Sequence, residues 1–272
     1  MTYLDEEGIL ASNLETFATL VRKKYAPWVA EARAYNRIAN QMQYAFKVSP
    51  ESAQDLFCSA LFVRVLEYTQ TALLLIERGL RASARVMLRC AVEALFNLIA
   101  CSADYKTAVS FMDADLIARK KTGEYLQQVS GEPLKAQVVG KDVTKRLKKL
   151  ADEIDSLDAK ALKVRQLAKL ADLEDWYLTT YAYLSSSVHS SVRDLEDYFE
   201  FDQDGKIRGM VNEPSDRGLE LLILLAVEIQ HLAMQAAAKT FGLAVDPHAQ
   251  VHLEAIQALK VADGEPVREP DS

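Results

Sequence analysis

The chain is poor in the residues that break helices, with 10 glycines and 7 prolines in 272 residues, about 6% against the roughly 12% of average usage. That scarcity excludes collagen-like, low-complexity and turn-rich all-β chains. Cysteine is scarce and odd in number, and Cys58, Cys90 and Cys101 show no CxxC spacing, which argues against a disulfide framework and a zinc site. Each lies in an apolar helical context and reads as a reduced core residue of a cytosolic protein. Positive charge is in deficit too. A net charge of -7 and a pI near 5.3 oppose broad attraction to nucleic acid, which needs Lys and Arg gathered on one face. Long apolar runs are missing: LELLILLAVEIQHLAMQAAA is interrupted by Glu220, Glu228 and His231, short of the roughly 18 uninterrupted residues of a membrane span. The opening MTYLDEEGIL has no basic region leading into an apolar one, so neither a signal peptide nor a membrane partner is expected. There is no GxxxxGK[ST] loop, no GxGxxG after a strand and no GxSxG elbow, which argues against nucleotide-dependent and α/β-hydrolase chemistry. No cofactor is expected.

What is present is helix-forming. Half the residues are hydrophobic and Ala and Leu make up about a quarter of the chain; both lose little side-chain entropy in a helix. The pattern predicts an all-α bundle of about seven to eight helices with a small β-hairpin insertion at about 198–211. Residues 1–48 read as an N-terminal helical hairpin packed on the bundle, 49–262 as the main helical domain and 263–272 as a disordered tail. Ser49-Pro50-Glu51 signals the start of a long helix to Gly79, where a left-handed C-cap would send Leu80 to Ser102 back as an antiparallel partner. Asp104 opens a further helix. From Val143 to Ala171 apolar residues alternate spacings of four and three, a coiled-coil-like seam within the bundle or between two copies of the chain; Ser156-Leu157-Asp158 offers a point where it breaks in two. Asp204-Gly205 sets the hairpin turn, Ser215 caps a long helix ending at Gly242, and Pro247 starts the last one.

Two polar stripes stand out on apolar helices. Arg81, Arg85, Arg89, Glu93 and Asn97 follow at intervals of four on a helix that is apolar nearly all round. Charges there cost several kcal/mol unless paired, and Arg89 with Glu93 is an obvious intrahelical pair. On an uncharged helix Tyr177, Tyr181, Ser185 and His189 are also spaced by four, followed by Arg193. Histidine is the side chain suited to moving a proton near neutral pH. If the stripes face each other they form a polar pocket, with His189, Arg89 and Glu93 as catalytic candidates and Arg85, Tyr181, Ser185 and Arg193 as substrate-binding ones. As a structural arrangement the same residues are an ion-pair ladder and a satisfied histidine.

In RxxxRxxxE, here Arg85, Arg89 and Glu93, and YxxxSxxxH, here Tyr181, Ser185 and His189, the chain resembles a bacterial family known as domain of unknown function 5677, over roughly 57–231. It is more distantly similar to HEPN-type helical domains, many of which cleave RNA in toxins and defence effectors while others are silent binding modules. That resemblance implies RNA or another phosphate-containing ligand as partner and metal-independent cleavage. The HEPN signature, Arg followed after four to six residues by His, is absent: Ala182, Tyr183 and Leu184 hold the positions where that Arg would stand before His189. Arg89 or Arg193 would have to substitute for it.

Three other features read as bland. Glu228 and His231 form one ExxH where a di-iron bundle needs two plus two further Glu. His248 and His252 lack a third ligand, so no metal is expected. The basic run Lys141 to Lys149 is balanced by Asp152, Glu153, Asp155 and Asp158 and reads as the solvated side of the heptad helix. The rival to a cytoplasmic RNA-directed effector is a non-enzymatic helical interaction or ligand-binding module, in which the Arg-Glu stripe is structural and the heptad face 143–171 holds a partner or a second copy.

Overall fold

The structure, a computed structural model, describes residues 3–128, 143–157, 161–189 and 191–262; the predicted tail 263–272 lies outside them. Among the described residues there are ten helices of seven residues or more, a correction to the seven or eight expected. They are α1 (Leu14–Lys24), α2 (Ala26–Met42), α3 (Ala53–Glu77), α4 (Arg81–Ala103), α5 (Tyr105–Gln128), α6 (Val143–Leu157), α7 (Val164–Leu170), α8 (Glu174–Trp176, Tyr177–Tyr181 as a π turn, and Ala182–Val188), α9 (Leu219–Phe241) and α10 (Pro247–Ala262). The heptad run accounts for part of the difference. It is not one helix: α6 stops at Leu157, and α7 begins anew where Gln166 Oε1 accepts from the Lys163 backbone N–H at 2.8 Å.

The central hairpin follows from its cap. Gly79 has φ +69°, and the N–H groups of Gly79 and Leu80 bond to the carbonyls of Ile76 and Leu75, both at 2.9 Å, the Schellman pattern that stops a helix and turns the chain. α3 and α4 then pack against each other, and α9 lies on both. At the other end of α3 the cap differs from expectation: Ser52, not Ser49, accepts from the Asp55 N–H at 3.1 Å, and Asp55 in turn accepts from the Ser52 hydroxyl at 2.9 Å. The helix therefore starts at Ala53. Gly218, at φ +59°, holds the position before α9 where Ser215 was expected; the Ser215 N–H is engaged by the Gly79 carbonyl at 3.0 Å.

α3, α4 and α9 are each long and apolar enough to cross a membrane by length and composition. Their apolarity has a use inside the bundle: Phe62, Leu88, Leu95, Phe96, Leu222 and Ile229 are at most 1% exposed and belong to one core. α2 and α10 cover α9, α7 and α8 cover α4, and α6 packs on α5. The heptad seam thus has a partner within the chain. A Cβ on Gly123 of α5 would sit 2.4 Å from Leu147 Cδ2, so glycine there admits the α6 side chain. The insertion is a two-stranded antiparallel hairpin, β1 (Phe199–Phe201) and β2 (Ile207–Met210), closed by a turn in which Asp202 Oδ1 accepts from the Asp204 and Lys206 N–H groups at 2.9 Å.

Polar ties cross the core. Glu77, buried at the end of α3, accepts from Arg33 at 2.7 Å and Arg22 at 3.4 Å, pinning α2 and α1 to it. His252 is half-buried and sits 2.6 Å from Glu31, joining α10 to α2. His231 on α9 lies with Nδ1 2.8 Å from the fully buried Tyr35 hydroxyl and Nε2 2.9 Å from the Gln235 amide. Burial pushes its pKa below 6.5, because the charged ring has lost water.

A pH dependence follows. A histidine with a depressed folded-state pKa leaves the unfolded chain holding more protons, so stability falls as pH drops through about 6.5 and below. The nearby Glu228 opposes this at lower pH, since burial raises its carboxyl pKa above 4.5 and its share is lost as pH rises. The expected result in urea titrations from pH 7.5 to 5.5 is a shallower slope for His231→Gln than for the wild type. Equal slopes would contradict the assignment.

Candidate functional site

α8 runs antiparallel to α4, since Tyr181 meets Arg89 while the later Ser187 meets the earlier Arg85. The two predicted stripes therefore do face each other, and they resolve into two separate nodes.

In the first, Arg89 pairs with Glu93 through Nη1, donates from Nη2 to the Tyr181 hydroxyl at 2.5 Å, and lies 4.9 Å from the centre of that ring. Tyr177 stacks on Tyr181 at 5.2 Å and Phe96 tilts against it at 6.0 Å, so the phenol is held on both sides. Burial, reinforced by the Glu93 charge and opposed by Arg89, raises the Tyr181 pKa and keeps the phenol protonated at neutral pH. Arg89 Nε is buried without a hydrogen-bond partner among the described residues. Asn97 turns back to donate to the Glu93 carbonyl at 2.8 Å.

The second node is more deeply buried. Arg85 donates from Nε to Ser187 Oγ at 2.7 Å and from Nη2 to Asp194 at 2.8 Å and Asp197 at 2.6 Å. Ser187 donates to Asp194 at 2.5 Å, and Arg81 reaches Asp197 at 3.3 Å. The Arg85 and Asp194 side chains are 6% and 5% exposed. Burial disfavours the Arg85 charge, but the hydrogen bond to Asp197 and the charges of Asp197 and Asp194 outweigh it and raise its pKa further. Asp194 and Asp197 are the functional-looking residues that periodicity missed; both stand in SVRDLEDY, after the helix whose spacing was read.

The remaining candidates are not drawn in. The Ser185 hydroxyl donates to its own helix, to the Tyr181 carbonyl at 2.7 Å. His189 is exposed and makes no side-chain hydrogen bond among the described residues. His189 is the C-cap of α8, its N–H still bonded to the Ser185 carbonyl at 3.3 Å, and its ring stands at the open end of the helix. The interior His expected from that spacing is corrected accordingly. Arg193 lies in the single turn Val192–Leu195, and its side chain is outside the described residues.

Charge balance decides what the nodes can do. Arg81 and Arg85 meet Asp194 and Asp197, and Arg89 meets Glu93, so each arginine of the stripe described at the two nodes is paired with a carboxylate. The chemistry left is hydrogen bonding around a protonated phenol. No cluster of three or more His, Cys, Asp or Glu able to hold a metal occurs among the described residues.

Compared with known proteins, residues 55–207 match the model of a family described as a family of unknown function, DUF5677. That span takes in both nodes. No curated protein and no solved structure matches the chain.

Proposed function

The chain belongs to the DUF5677 family, whose function is unknown, and from that footing we propose that it is a non-enzymatic helical binding module in which the arginine stripe is structural. One observation carries the reading: each arginine of the stripe that faces α8 or the segment after it meets a carboxylate of this chain. A site built to bind a phosphate keeps a cation in excess. The Arg85 node also ties Ser187, Asp194 and Asp197 to α4, with Ser191 Oγ capping the turn Val192–Leu195 by accepting from the Asp194 N–H. This makes a firm corner on which Val192 and Leu195 remain exposed, along with Ile207 and Met210 of the hairpin it leads into, a surface suited to a partner.

A second reading keeps the distant HEPN likeness: an RNA-directed or defence-linked effector with His189 as general acid or base. His189 supports it by being exposed, with no side-chain hydrogen bond among the described residues. The two readings part in one experiment. End-labelled cellular RNA incubated with wild type and with a folded His189→Ala variant is expected to stay intact with both. Cleavage by wild type that the variant loses would overturn the binding-module reading and establish the ribonuclease.

A further inference from the structure

α3 carries an apolar face that the described residues leave open. Its most apolar stretch is 33% buried, against 61% in α4 and 67% in α9. Cys58, Val65, Thr69, Ala72 and Ile76 are fully buried on the core side of the helix. On the opposite side Leu56, Ala60, Val63, Glu67, Gln70 and Leu74 alternate spacings of four and three, the period by which one helix packs along another. Leu56, Val63 and Leu74 are 44%, 44% and 54% exposed. Apolar residues exposed singly are ordinary on a surface. Here they recur in register along about 27 Å of one helix face.

The stripe is complementary to itself in one direction. When it is laid antiparallel on a second copy, about a two-fold axis level with Val65, Leu56 meets Leu74, Ala60 meets Gln70 and Val63 meets Glu67 of that copy. Each contact then occurs twice, as a symmetric dimer interface requires, and the small Ala60 leaves room for the Gln70 amide. Charge sets the direction. Arg64 and Glu67 stand at the middle of the stripe, 3.2 Å apart within the helix. Antiparallel pairing brings Arg64 of each copy beside Glu67 of the other, whereas parallel pairing sets Arg64 against Arg64 and Glu67 against Glu67. At the ends, Arg78 comes level with the turn that holds the exposed Glu51 of the other copy. In a chain of net charge -7 this balanced face is one on which two copies meet without repulsion. The same charges argue against a lipid surface, where Arg64 and Glu67 would face hydrocarbon without a partner copy.

We propose that α3 is a homodimer interface, on which two copies pair antiparallel from Leu56 to Leu74 and are joined by reciprocal Arg64–Glu67 ion pairs. The interface uses no side chain of either arginine node or of the corner bearing Val192 and Met210. Its failure therefore leaves the module reading standing, and failure of that reading leaves the dimer.

Sedimentation equilibrium on the full chain tests it, with each variant checked by thermal melting. A dimer is expected, weakened at least tenfold by Val63→Glu and by Leu74→Glu. Arg64→Glu and Glu67→Arg each weaken it, and the two together restore it, because the exchanged charges still meet across the axis; a loss caused by unfolding is not rescued in this way. Direction is read by disulfide cross-linking in a Cys90→Ala background. Ala60→Cys combined with Gln70→Cys joins two copies on mild oxidation, while Ala60→Cys alone does not, since it lies about 15 Å along the axis from its equivalent. A monomer at every concentration reached, a dimer indifferent to Val63→Glu and Leu74→Glu, or cross-linking by Ala60→Cys alone would overturn the proposal. So would a monomer that floats with phosphatidylcholine vesicles and is released by Leu74→Glu.

Discussion

Arg85→Ala lowers the unfolding free energy by about 3–5 kcal/mol, the cost of breaking a buried ion pair by removing one partner. The size follows from what stays behind. Asp194, with a side chain 5% exposed, loses the Nη2 donor at 2.8 Å, and Ser187 loses the Nε donor at 2.7 Å. Asp197, 32% exposed and still within reach of Arg81, turns to water at little cost. Asp194 therefore carries most of the penalty, and Asp194→Ala alone has a similar effect by orphaning Arg85 in turn. Replacing both with well-packed apolar residues costs less than either single change, since paired burial of charge is often near neutral against an apolar pair. Chemical denaturation of the three variants measures this, and a loss under about 1 kcal/mol for Arg85→Ala would show the node to be solvated.

The second large effect is at a position with no side chain. Gly79→Ala is expected to cost about 2–4 kcal/mol, from the left-handed conformation and the crowding together. At φ +69° an L residue is strained, and the added Cβ would stand 2.4 Å from Phe17 Cε1 and 2.9 Å from both N and O of Ser215. Neither neighbour yields easily: Phe17 is buried against Tyr3, and the Ser215 N–H is bonded to the Gly79 carbonyl. Gly205 provides the control. It has φ +75° with nothing within 4 Å of the added atom, so Gly205→Ala shows the conformational cost alone, about 1–2 kcal/mol. Equal effects at the two glycines, read by denaturant midpoints, would mean that the close approach of α1 and the segment before α9 contributes nothing.

These two positions also mark where the amino-acid sequence is readable and where it is not. Gly79 was legible because its signal is local: an apolar helical run, a glycine and a second run need only the Schellman turn to become a hairpin. The Arg89–Glu93 pair was legible for the same reason, since a spacing of four places both on one face. Tyr181 opposite Arg89 was reached by the same periodicity carried onto a second helix. Asp194 and Asp197 were not, because they lie 109 and 112 residues from Arg85 in a helical turn and a 3₁₀ turn, where no period marks a facing residue. His189 failed in the opposite direction. Its spacing from Ser185 is helical, but it is the C-cap, with its ring at the open end of the helix, and periodicity contains no information about its own end. Ser52 displaced Ser49 as a cap because Asp55 completes a reciprocal pair with it, a competition between two valid signals three residues apart.

The central claim is that the arginine stripe holds the molecule together and is not a reaction centre. A double-mutant cycle between Arg85 and Asp194, read as unfolding free energies of Arg85→Met, Asp194→Leu and the pair, tests it most directly. The account predicts a coupling of about 1–3 kcal/mol, with the double variant more stable than the sum of the single losses implies. Additive losses of less than about 0.5 kcal/mol each would contradict it and return the stripe to the chemistry of a site.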